Sequence, residues 1–182
     1  MRTKENMKRM VTPVGIAYWP YIGVQVEKYQ GKEVGYSIQL KLSDTDTEKL
    51  KKDLLEVLES AKESSPDCLN KKWSDNPLLC ISRDEKGKER FKFKMKAHYT
   101  DRNGQKKPLT CYVYDKKGDR IDPVKNPISP GSLIRVAFTP VPFYRSSSSN
   151  GLTLRLDAIQ VIEHRELEKA PSMASFGFSS PA

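Results

Sequence analysis

The chain has 182 residues, 37% hydrophobic and 30% charged, with 12 prolines, 10 glycines and a formal charge of +9. Such a chain is long enough for one domain with its own core, and too apolar and too patterned to be disordered. A pI of about 9.4 favours an anionic partner, and no apolar run approaches the roughly 18 residues of a membrane span or resembles a signal-peptide core.

Residues 1–11, polar, basic and rich in methionine, predict a flexible N-terminal arm ahead of a single domain over 12–165. From Thr12 onward, Ile16, Tyr18, Trp19, Tyr21 and Ile22 around Pro20 predict two short strands or one bent strand reaching residue 26. Residues 34–42 alternate, with Tyr36, Ile38, Leu40 and Leu42 on one face and Ser37, Gln39 and Lys41 on the other, which predicts a half-buried strand. Thr45 and Glu48 fit a capping box, and Leu50, Leu54, Val57, Leu58 and Ala61 recur at helical spacing, so 46–63 is expected to be an α-helix.

After an irregular stretch around Trp73, a hairpin turning at 85–88 is expected to return over residues 90–99. Further turns are expected at 101–104 and 116–119, with a strand over 109–114 between them. Strands over 133–138 and 152–162, joined through Pro140, Pro142 and a flexible serine-rich loop at 146–151, complete the domain. Residues 166–182 read as a flexible C-terminal tail. The fold class is mainly β: a five-stranded or larger antiparallel barrel, or a sandwich, with one inserted helix.

Charge is unevenly placed. Residues 83–125 hold 14 Lys or Arg against 7 Asp or Glu, a net of +7, whereas residues 43–63 are net −3. Within the basic stretch, Arg90 to Lys96 alternates strictly, which in a strand sends Phe91, Phe93 and Met95 inward and Arg90, Lys92, Lys94 and Lys96 to one outer wall. A row of cations two residues apart suits a phosphate backbone, and equally suits an edge strand guarded against aggregation.

Catalysis has little support. His98 and His164 are the only histidines, Cys68, Cys80 and Cys111 are irregularly spaced, and no nucleophile, phosphate-loop or metal motif occurs. No enzyme activity and no cofactor are expected, and the free thiols fit a reducing cytoplasm. Aromatic residues do interleave with the cations, as in proteins that hold single strands by charge and base stacking. Tyr112, Tyr114 and Tyr144 are the expected stacking positions, with Arg135, Arg145 and Arg155 as further phosphate contacts.

The segment Gly131-Ser132-Leu133-Ile134-Arg135-Val136, then Pro142-Phe143-Tyr144, then Asn150 to Glu163 reading N-G-L-T-L-R-L-D-A-I-Q-V-I-E, resembles the C-terminal half of phage-type single-stranded DNA-binding proteins. The resemblance extends upstream to Tyr18-Trp19-Pro20 and covers about residues 12–163. It implies an OB-fold that coats single-stranded DNA without sequence preference in phage replication and recombination, within the host cytoplasm, with no enzymatic role. It also implies contacts with replication proteins through an acidic C-terminal tail, a pattern from which Phe176-Gly177-Phe178-Ser179-Ser180-Pro181-Ala182 departs in lacking acids. A phage scaffolding protein that docks an acidic partner, or an RNA-binding protein, fits the same basic sheet.

Overall fold

The computed structural model describes residues 7–23, 27–165 and 172–181. Its strands are β1 (Met10–Val11), β2 (Gly15–Tyr21), β3 (Glu27–Tyr29), β4 (Lys32–Lys41), β5 (Ile81–Arg83), β6 (Glu89–Met95), β7 (His98–Thr100), β8 (Lys106–Pro108), β9 (Tyr112–Tyr114), β10 (Arg120–Ile121), β11 (Leu133–Ser146) and β12 (Ser149–Glu163). One helix, α1 (Asp44–Ser64), lies between β4 and β5.

The alternation read from the sequence sets the sheet. Ile38 and Leu40 on β4, and Phe91 and Phe93 on β6, are fully buried. Ile134, Val136 and Phe138 on β11, with Leu152, Leu154, Leu156 and Ile159 on β12, complete the same core. Each such side chain contributes about 1.5–3 kcal/mol by leaving water. Five strands close on themselves: β11 pairs β2, β2 pairs β4, β4 pairs β6, β6 pairs β12, and β12 pairs β11. That closed ring is the OB-type barrel. It is antiparallel except at its closure, where β12 meets β6 and β9 in parallel. Periodicity cannot reveal that closure, because a parallel contact between distant strands leaves no local signal.

Helix α1 begins two residues earlier than expected. Ser43, not Thr45, is the N-cap, its hydroxyl accepting from the Asp46 N–H at 3.2 Å. Thr47 donates back to the Ser43 carbonyl at 2.8 Å, and Leu50, Leu54 and Leu58 form the buried stripe. Lys51 on the helix meets Glu89 of β6 at 3.1 Å, tying α1 to the hairpin of β5 and β6.

Other elements depart from expectation in instructive ways. The return strand expected over 90–99 stops at Met95, and His98–Thr100 pairs instead with Lys106–Pro108 in a separate hairpin. The strand expected over 109–114 contracts to Tyr112–Tyr114. β11 and β12 form one long hairpin with only residues 147 and 148 outside the strands, so the expected flexible loop is absent. Fully buried Asn150 ties the tip, donating to the carbonyls of Ser146 at 2.9 Å and Ser147 at 3.2 Å. Of the expected arm, Met10 and Val11 pair with Phe138 and Ala137, while residues 1–6 lie outside the described residues, as do residues 24–26 of the expected bent strand. Of the expected tail, Met173–Phe176 form an exposed 3-10 turn closed by Gly177, and 166–171 and 182 lie outside.

Candidate nucleic-acid interface

Residues paired across a ladder share a face, so the register gives the outer wall directly. Tyr21, Ser37, Lys94, Arg155 and Thr139 form one row across β2, β4, β6, β12 and β11. Tyr18, Gln39 and Lys92 form the neighbouring row. Further along β12, Ala158 stands beside Tyr112, and Gln160 lies between Tyr114 and Arg135. With strands about 4.8 Å apart, these rows make one face that crosses the barrel, on which Ser37 and Thr139 are buried while Lys94 and Arg155 are exposed.

The predicted residues occupy this surface unequally. Phe91 and Phe93 point inward as expected, and Lys94 faces water with no ion-pair partner among the described residues. Lys96 is exposed just beyond the end of β6. Arg155 sits 3.4 Å from the Asp157 carboxylate, which also takes Arg9 at 3.1 Å and the Thr139 hydroxyl at 2.6 Å. Arg90 is held in the scaffold: its guanidinium lies 3.8 Å over the Tyr18 ring and 3.5 Å from Asp84. The N–H of Lys88 is the chief cause holding the Asp84 carboxyl below its usual range, with the Lys86 N–H and the Arg90 charge acting the same way against partial desolvation.

Tyr112 and Tyr114 are exposed and lie opposite buried Cys111 and Val113, with Arg120 4.7 Å over the Tyr112 ring. Burial pushes the Cys111 thiol up to about 12, leaving it chemically inert. Arg135 shares the surface, its Nε donating to the Thr12 carbonyl at 3.2 Å. Tyr144 is not on this wall. It stacks edge-on against Trp73 at 5.3 Å, donates its hydroxyl to the Lys72 carbonyl at 3.1 Å, and takes Lys71 over its ring.

Its neighbour Phe143 takes the outward place. Phe143 pairs with Gly151, so no side chain stands opposite the ring, and the Arg145 guanidinium lies 5.6 Å above it. Lys94, Phe143, Arg145, Thr153, Arg83 and Leu55 line a groove of about 660 Å³ that opens where β5 and β12 diverge along β6. Sequence reasoning preferred Tyr144 over Phe143 and overlooked Arg83 and Arg120. The alternation of Val141, Phe143 and Arg145 would have found Phe143, but Pro140 and Pro142 obscured the strand. Among the described residues no group of three metal-ligating side chains occurs, and no helix is long and apolar enough to cross a membrane.

A sequence profile of the family described as "Single-stranded DNA-binding protein, Bacteriophage T7" matches residues 20–164. The chain belongs to this family. The family is one of binding proteins, not enzymes. Its fold is that of gp2.5, a single-stranded DNA-binding protein encoded by bacteriophage T7, with a TM-score of 0.64 at 20% identity, covering 91% of this chain and 98% of that one. The single-stranded DNA-binding protein of bacteriophage Enc34, solved in complex with single-stranded DNA, gives 0.63 at 13% identity, covering 93% and 97%. At such identities these likenesses establish the shared fold. A search among curated proteins finds no match.

Proposed function

We propose that this chain coats single-stranded DNA during phage replication and recombination in the host cytoplasm, laying the strand across the wall formed by β4, β6 and β12. The observation that carries the reading is the row that joins Tyr21, across buried Ser37, to Lys94 and Arg155 and continues through the groove of Phe143 and Arg145. The second and third strands of an OB barrel and its flanking loops are the usual oligonucleotide platform, and here those strands are β4 and β6. Lys92, Lys94, Arg145 and Arg155 meet phosphates, while Phe143, Tyr112 and Tyr114 offer ring faces to bases. Arg135 and Lys96 extend the positive field, and Arg90 acts through Tyr18, which it holds in place.

Stacking tolerates any base and phosphates carry no sequence, so binding is sequence-tolerant. A titration of fluorescent oligo-dT across salt tests this. With about four phosphates neutralised, log affinity against log salt should have a slope of about −3, from ~0.7 per contact on single strands. Lys94→Ala should flatten that slope by about 0.7. No binding at low salt would refute the function, and equal binding to duplex would refute the stacking component. Tighter binding to an oligo-rU of equal length would favour RNA.

A further inference from the structure

Trp19 is one of two tryptophans in the chain, and its placement breaks the pattern of its own strand. Along β2, Ala17 points inward and Tyr18 outward, so strict alternation would bury residue 19. Instead Trp19 adopts a left-handed φ of 48° and its side chain is 59% exposed. The ladder to β4 jumps at this point from Tyr18 and Gln39 to Tyr21 and Ser37, so Trp19 and Pro20 together oppose one residue. This bulge returns Tyr21 to the same outer wall as Tyr18 while turning the indole out of the core. A bulky residue at positive φ is strained, and such strain persists where the surroundings enforce it, commonly at binding sites.

The indole does not stand on a bare surface. Trp19, Tyr21, Pro123, Val124, Pro127 and Pro130 line a cleft of about 490 Å³ beside β2. The segments beside it are fixed by hydrogen bonds: the Gly131 N–H donates to the Ala17 carbonyl at 2.8 Å, and the Val124 N–H donates to the Asp122 carboxylate at 2.9 Å. No ring or cation stacks on the indole among the described residues. The cleft also adjoins the wall already described, because Tyr21 belongs to it and stands two strand spacings, about 10 Å, from Lys94.

We infer that the strained bulge of β2 presents Trp19 as a stacking platform for a nucleobase, which enters the proline-lined cleft at the far end of the strand's path from Arg145. The inference rests on the single-strand binding proposed above. Flat apolar walls of proline and valine opposite an indole suit a planar aromatic ring of any identity, and the absence of charged side chains in the lining leaves phosphates to Lys94 and its neighbours.

Two variants test it. In a Trp73→Phe background Trp19 is the sole tryptophan, so its emission reports the cleft. Saturating oligo-dT should quench it in step with the anisotropy of a labelled oligonucleotide. Trp19→Gly should weaken oligo-dT binding about 5- to 150-fold while leaving the salt slope unchanged, since no phosphate contact is lost. Glycine is at ease at this φ, so the variant's thermal midpoint should be unchanged or higher, which separates lost binding from lost fold. Oligo-dT bound at wild-type affinity by the folded Trp19→Gly protein, or bound without any change in Trp19 emission, overturns the inference and leaves the DNA-binding reading intact. Failure of the unaltered protein to bind any single strand overturns both.

Discussion

Three aspartates at turn starts fasten the hairpins of this fold. Asp84, Asp101 and Asp115 each open a turn of the form Asp-x-x-Gly-x, and each Oδ1 accepts two backbone N–H groups, two and four residues ahead, at 2.8–2.9 Å. The glycine three residues on takes positive φ in every case, 75° at Gly87, 77° at Gly104 and 94° at Gly118. At Gly87 a β-carbon would meet nothing within 4 Å, so Gly87→Ala should cost only the left-handed penalty of about 1–2 kcal/mol, read from denaturant unfolding. Asp84 and Asp101 have carboxyls held below their ordinary 3.8, chiefly by the N–H groups of Lys88 and Gln105. A depressed folded value contributes stability that is present above pH ~4 and is lost as pH falls through the folded values below it. The acid limb of the thermal midpoint should therefore be shallower in an Asp84→Asn, Asp101→Asn double variant than in the unaltered protein.

At the level of elements, the strongly periodic segments were legible and the ends of elements were not. Phe91 and Phe93 in alternation, and Leu50, Leu54 and Leu58 at helical spacing, announced β6 and α1, because burial of a repeating face leaves its period in the chain. The start of α1 was misread because Thr45 and Glu48 satisfy a capping pattern as well as Ser43 does. Only the folded geometry decides whose oxygen meets a free N–H. Ser43→Ala should thus cost about 1 kcal/mol and exposed Thr45→Ala little, a contrast that chemical denaturation resolves. The long hairpin of β11 and β12 was hidden for a different reason. Pro140 and Pro142 interrupt its pattern, and the serines at 146–149 look like a linker until Asn150, buried between the strands, fastens the tip. The same interruption hid the outward side of Phe143, so that Tyr144 was expected on the wall in its place. Candidate cations on regular strands, Lys92, Lys94 and Arg155, came together on one wall because their strands pair in register, which no single-segment reading could supply.

Across the whole molecule the charge is unevenly divided along the chain, net −3 over residues 43–63, which form α1, and net +7 over residues 83–125. Asp157 stands on the outer wall of the barrel. It sits on β12 within that wall, largely buried, and holds Arg155 at 3.4 Å and Arg9, just before β1, at 3.1 Å, with Thr139 donating to the same carboxylate. Two guanidinium groups that could meet phosphates are thereby paired internally when DNA is absent, and an approaching strand must compete with a fixed carboxylate for them. Asp157→Asn keeps an oxygen for the Thr139 hydroxyl and removes the competing charge. It should tighten oligo-dT binding at low salt and, with Arg155 already among the phosphate contacts, steepen the salt slope by ~0.7 as Arg9 joins them. A shallower slope in that variant would mean instead that the carboxylate aims Arg155 at the phosphate, so that its negative charge orients the cation more than it screens it.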